Sequence, residues 1–141
     1  MAERIQALQH WLAESVHLSG FRLRPASGDA SFRRYFRVTT DDGGSWIAMD
    51  APPDKEDCQP FVSIARELDA LGLHVPKIEA EDLQQGFLLL EDLGTRHYLD
   101  VLDEASADRL YGDALGALLV VQACGPRNGL PNYDRTLLTR E

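Results

Sequence analysis

Cysteine and histidine are scarce in this chain, cations are outnumbered, and no apolar run is long enough for a membrane span. The two cysteines, Cys58 and Cys124, stand far apart, with no second Cys or His at metal-ligand spacing beside either. No thiolate metal centre is written there, and two reduced thiols are expected over a disulfide. His10, His17, His74 and His97 are isolated from one another, so each reads as an ordinary surface or core residue. With 14 Lys and Arg against 23 Asp and Glu, the formal net charge is −9. That balance excludes a broad nucleic-acid or membrane surface, because phosphates need clustered cations. A Walker-type phosphate loop, G-x-x-x-x-G-K-[ST], is missing, and so is the nucleophile elbow G-x-S-x-G. The opening "MAERIQALQHWLAESVHL" carries Glu3, His10 and Glu14 where a secretory signal needs unbroken apolar residues. The expected location is the cytoplasm.

What is present suffices for a core. At 141 residues and 44% hydrophobic, the chain fits one domain, or one domain and part of another. Ile5, Leu8, Leu12 and Val16 form an apolar stripe at helical spacing, predicting a helix that ends near Ser19 and Gly20. "FRLRPA", "FRRYFRVTT" and "SWIAMD" read as three strands, the last two joined by the hairpin signal "DDGG". "APPDKED" is a loop whose charges have no reason to bury. A second helix starts at Pro60, with Phe61, Ile64, Ala65, Leu68 and Leu71 on one face and Gly72 as its stop. "VPKIEAE" and "FLLLED" are further strands, the second apolar enough for burial on both faces. A third long helix follows, with Ser106 as its N-cap, Leu110, Ala114, Ala117, Leu118 and Val121 as its stripe, and Gly125-Pro126 as its end. "NYDRTLLTRE" opens a last helix at Asp134 that the sequence cuts short. The chain therefore reads as the N-terminal part of something longer. The predicted class is α+β, with an antiparallel sheet of about five strands and flanking helices.

The stretch "SGDASFRRYFRV", Ser27 to Val38, holds the densest basic cluster. Small residues there let backbone N–H groups approach anionic oxygens. Alternation in the following strand puts Phe32, Arg34, Phe36 and Val38 on one face and Arg33, Tyr35 and Arg37 on the other. A plain hairpin with a solvated basic edge explains the same residues.

The ordered set "GDASFRRYFRV", "IAMDAPPDKED", "LLLEDLG" and "PNYDRTLLTRE" resembles the aminoglycoside phosphotransferase and choline kinase-like superfamily, over nearly the whole chain. Within it, the set looks like the bacterial phosphotransferases that act as anomeric kinases on N-acetylmuramate and N-acetylglucosamine in cell-wall recycling. The resemblance implies a protein-kinase-like N-terminal lobe over residues 1–92. Residues 93–141 would be the hinge and the start of a helical second lobe. It also implies ATP and Mg2+ as cofactors and an amino sugar as acceptor. Nucleotide contacts fall on Gly28, Asp29, Ala30, Ser31, Phe32, Arg33, Arg34 and Ala48, with the Glu91 carbonyl and the Leu93 N–H meeting adenine. The catalytic loop and metal ligands of the superfamily have no match in this sequence, so the chain alone is expected to be inactive. The surplus apolar residues of the third long helix, left uncovered, are expected to drive self-association.

One position departs from the pattern. Protein kinases place Lys at the end of V-A-I-K, whereas "IAMD" places Asp50 there. A carboxylate about 4 Å from a phosphate charge, at an effective dielectric of about 20, is repelled by roughly 4 kcal/mol. Three resolutions are open: Asp50 bonded to Arg33, Arg34 or Arg66; the phosphates held by Arg33 or Arg34, which we favour; or poor nucleotide binding. Glu67, on the second helix, is a candidate partner acid, although a solvated helix charge is the simpler reading of it. Other small acceptors, or a non-catalytic module of the same fold, remain alternatives.

Overall fold

The computed structural model describes residues 2–28, 31–124 and 134–140. These residues form two compact units: Met1–Ala65 with Val75–Thr95, and Arg66–His74 with Arg96–Glu141. The first unit holds a five-stranded sheet in the order β1-β2-β3-β5-β4, every neighbouring pair antiparallel. Its strands are β1 (Phe21–Gly28), β2 (Arg34–Thr40), β3 (Ser45–Asp50), β4 (Ile78–Asp82) and β5 (Phe87–Glu91). The α+β class and the three-strand meander read from the sequence are both present.

Helix α1 (Ala2–Glu14) ends sooner than its apolar stripe suggested. The Trp11 carbonyl accepts from the Ser15 and Val16 N–H groups at 2.9 and 3.1 Å, and the Leu12 carbonyl from Leu18. With these bonds the chain reverses through His17 in the left-handed region, at φ 61°. Leu8, Trp11 and Leu12 are the buried residues of α1, and Ile5 and Val16 flank them. Together with Phe36, Val38, Ala48, Phe87 and Leu89 they make the core on one face of the sheet. On the opposite face Met49, Leu88 and Leu90 pack with Cys58 and with Val62 of helix α2 (Gln59–Ala70). β5 therefore buries both faces, as its unbroken apolar run predicts. Val62 is the one fully buried residue of α2; the predicted face residues beside it are only half-buried.

Two glycines fix chain reversals. Gly72, at φ 77°, closes a Schellman motif after α2: the Leu73 N–H reaches the Leu68 carbonyl and the Gly72 N–H the Asp69 carbonyl. Gly86, at φ 73°, sits in the β4–β5 turn, where its carbonyl accepts from the Ala51 N–H at 2.9 Å. A Cβ there would stand 1.9 Å from the Ala51 carbonyl oxygen.

The second unit contains α3 (Tyr98–Val101), α4 (Ala107–Cys124) and α5 (Arg135–Arg140). α3 was not predicted; at four residues it is too short to show a periodicity. Ser106 does not cap α4 alone. Its hydroxyl accepts from the Asp103 N–H at 2.9 Å while the Asp103 carboxylate accepts from the Ser106 N–H at 2.7 Å. This is a reciprocal cap whose leading residue is Asp103. Leu110 is buried in α4, whereas Tyr111, Leu115, Leu118, Leu119 and Val121 are exposed. The apolar surplus read from the sequence thus lies on the surface. The predicted stop at Gly125-Pro126 is outside the described residues.

Replacing Gly86 by Ala should lower the unfolding free energy by about 2–4 kcal/mol, the sum of left-handed strain and overpacking against a backbone oxygen. Urea denaturation measures it; a loss below about 0.5 kcal/mol would mean that the turn yields freely.

Candidate functional site

One rung of the sheet sets out the polar site. Gly28 of β1 pairs with Arg34 of β2, Arg34 with Asp50 of β3, Asp50 with Phe87 of β5, and Phe87 with Asp82 of β4. Asp50 ends β3 with no exposed surface. It lies on the α1 face, in phase with Trp46 and Ala48. Arg4, one turn before Leu8 on the buried side of α1, donates from Nε to Asp50 Oδ1 at 2.8 Å and from Nη2 to the same oxygen at 2.5 Å. Arg34 Nη2 bonds the other oxygen, Oδ2. Arg4 also donates to the Gln85 carbonyl at 2.7 Å, and its guanidinium lies 4.9 Å from the centre of the Phe87 ring. Two guanidinium groups face one carboxylate, and about 30% of each arginine side chain is exposed, 31% for Arg4 and 29% for Arg34.

The bond to Arg34 is the first of the three resolutions expected for Asp50, with Arg4 as a partner that sequence reasoning missed. A helical i, i+4 step from Leu8 back to Arg4 was the available signal. Arg34 thus bonds Asp50 on the α1 face, with 29% of its side chain exposed. Ala48 belongs to the fully buried core under α1.

Arg33 is placed differently. β2 begins at Arg34, so Phe32 and Arg33 belong to the loop, not to the predicted alternating strand; the Ser31 hydroxyl accepts from the Arg33 N–H at 3.1 Å and bends the chain. Phe32 is 63% exposed. The Arg33 guanidinium stands 3.4 Å from Glu56 Oε2, and Glu56 Oε1 accepts from the Phe32 N–H at 3.1 Å. Among the described residues Arg33 Nε is buried with no hydrogen-bond partner. Glu56 comes from the loop between β3 and α2, whose charges were expected to stay in solvent, and its side chain is 15% exposed. Glu67, the candidate partner acid, is exposed on α2, the place of an ordinary solvated helix charge. Of the small-residue loop, Asp29 and Ala30 fall outside the described residues, Gly28 ends β1, and Ser31 is exposed.

The strand exit at "LEDLG" is latched by Arg37. Its Nε and Nη2 donate to the two oxygens of Asp92 at 2.7 and 3.0 Å, and Nη2 also to the Gly94 carbonyl at 3.2 Å. Asp92 further accepts from the Ser45 hydroxyl at 2.5 Å and the Gly94 N–H at 2.9 Å. The Arg37 hydrogen bonds hold the Asp92 carboxyl far below the usual carboxylate range, against the opposing pull of burial, with Ser45 and Gly94 adding to the effect. Asp92 in turn raises Arg37. Glu91, half-buried, and Leu93, 51% exposed, flank this latch. Among the described residues no group of three or more His, Cys, Asp or Glu side chains is placed to hold a metal ion. Two hollows of about 250 and 290 Å³ lie in the second unit, lined by none of the predicted site residues.

A profile of the phosphotransferase enzyme family matches residues 22–141. The chain belongs to this family. This phosphotransferase-family chain is 54% identical over 119 residues to the N-acetylmuramate/N-acetylglucosamine kinase of Pseudomonas aeruginosa, covering 84% of the chain and 35% of that protein. The kinase of the same name from Pseudomonas putida is 46% identical, with 98% of the chain and 43% of the relative covered. That from Neisseria meningitidis serogroup B is 36% identical, with 95% and 41% covered. The chain thus spans well under half the length of the curated relatives it matches. No helix among the described residues is long and apolar enough to cross a membrane.

The depressed Asp92 stabilises the fold in full above its unfolded value of about 3.9, and that contribution is lost as the pH falls below it toward the folded value. The stability difference between the parent and Asp92→Asn should therefore be flat from about pH 5 to 8 and shrink below about pH 4. Urea unfolding across that range measures it; a difference unchanged by acid would contradict the latch.

Proposed function

We propose that this chain is the ATP-binding part of a small-molecule phosphotransferase that phosphorylates the anomeric hydroxyl of N-acetylmuramate or N-acetylglucosamine. The observation that carries the reading is the family match over residues 22–141, supported by the names of the relatives. In this reading the loop after Gly28, with Asp29, Ala30, Ser31 and Phe32, covers the phosphates, and Arg33 supplies the cation that β3 lacks. The Glu91 carbonyl and Leu93 N–H meet adenine at a corner held still by Arg37 and Asp92. The acceptor oxygen bonds to the γ-phosphorus as the bond from that phosphorus to the β–γ bridging oxygen breaks. ADP leaves, and the hydroxyl proton passes to a base outside this chain. Positioning and charge neutralisation are what such a lobe contributes. Mg2+ would be held by residues elsewhere in the polypeptide.

The test is phosphate transfer from labelled ATP by the full-length protein to N-acetylmuramate, N-acetylglucosamine, an aminoglycoside and choline. Labelled sugar 1-phosphate is the expected product, and the 141-residue chain alone should show none above background. Transfer to choline or an aminoglycoside only would replace the acceptor. Failure to bind ATP at all would leave a non-catalytic module of the same fold.

A further inference from the structure

We propose that Glu56 is a positioning residue for the nucleotide phosphates, acting through Arg33; the inference rests on the reading that the loop between β1 and β2 covers ATP. One Glu56 oxygen takes the Phe32 N–H and the other faces the Arg33 guanidinium, so a single carboxylate fixes both the backbone and the cation at the descending limb of that loop. The acid is itself fixed: the Lys55 and Glu56 N–H groups both donate to the Pro52 carbonyl at 2.9 Å, and Ala51 is tied to Gly86. It comes from the loop before α2, 24 residues from Phe32 in sequence.

The contrast with Arg37 gives this pair its meaning. Arg37 fills the fork of its guanidinium with a bidentate carboxylate at 2.7 and 3.0 Å, the arrangement of a structural tie. Arg33 meets Glu56 at 3.4 Å and keeps its Nε without a hydrogen-bond partner among the described residues. A buried donor left unmade is costly. With its side chain 28% exposed, that guanidinium is held in place yet keeps surface for a further anionic acceptor.

The two possible roles of Glu56 change ATP binding in opposite directions. By Coulomb attraction alone, removing a carboxylate beside a phosphate site strengthens ATP binding; if Glu56 acts by aiming Arg33, removing its charge weakens it. Calorimetry on the full-length protein would compare ATP with adenosine for the parent, Glu56→Gln, Glu56→Asp, Arg33→Gln and the double variant Glu56→Gln/Arg33→Gln. Glu56→Gln and Arg33→Gln should each weaken ATP about tenfold, the loss of one hydrogen bond to a charged group, and leave adenosine unchanged. The double variant should bind ATP no worse than Arg33→Gln, and Glu56→Asp should recover part of the loss. ATP binding as tight as the parent's in Glu56→Gln, additive losses in the double variant, or equal losses for adenosine would each overturn the role of Glu56. A folded parent that binds no ATP would overturn the nucleotide reading, and this inference with it.

Discussion

A carboxylate with no exposed surface ends β3, and much of the first unit is arranged to keep it paired. Burying Asp50 alone would cost several kcal/mol, so a partner must reach it from each side. β2 supplies Arg34 along the same rung, and α1 supplies Arg4 from one turn before its first buried leucine. Through this one group the N-terminal helix, the central strands and the β4–β5 turn become mutually dependent. The Gln85 carbonyl in that turn takes another Arg4 donor, and Gly86 beyond it holds Ala51. The family match begins at residue 22, after α1, yet a helix before that point completes the pairing of a strand well inside it.

Charge reversal at β3 has a consequence for how phosphate could be held. In the protein-kinase pattern a strand lysine meets a helix acid. Here the strand carries the acid, turned to the α1 face, and a loop arginine and a loop acid, Arg33 and Glu56, stand by the opposite core. Two guanidinium groups pair with the Asp50 carboxylate on that face. The chain is strongly acidic in total, so such local concentration of arginine is what makes an anion site possible within it.

The elements were legible where periodicity was strong. The apolar run of "FLLLE" announced a strand buried on both faces, and "DDGG" announced the β2–β3 hairpin, whose Thr40 N–H meets the Gly44 carbonyl. Polar pairing was legible only in part. That Asp50 needed a cation followed from its position, but choosing Arg4 required knowing that α1 lies on that face. Glu56 was expected in solvent and Asp92 was not singled out, because a proline-rich loop and a strand exit give no periodic signal of burial. Phe32 and Arg33 were assigned to a strand by alternation, but the Ser31 hydroxyl is a local competitor for the backbone, and the strand begins two residues later, at Arg34. Ala48 was placed by resemblance alone, and that it shares a buried face with α1 was not legible in the sequence.

The most direct test of the Asp50 account is a thermodynamic cycle on unfolding free energy. Arg4→Met and Arg34→Met keep much of the apolar stem and remove the charge, and each is measured with Asp50 intact and with Asp50→Asn. If the arginines are there to pair a buried carboxylate, each should cost about 1–3 kcal/mol beside Asp50 and distinctly less beside Asn, a coupling of neighbours in contact. Equal costs in both backgrounds would contradict the account and leave the arginines as packing residues.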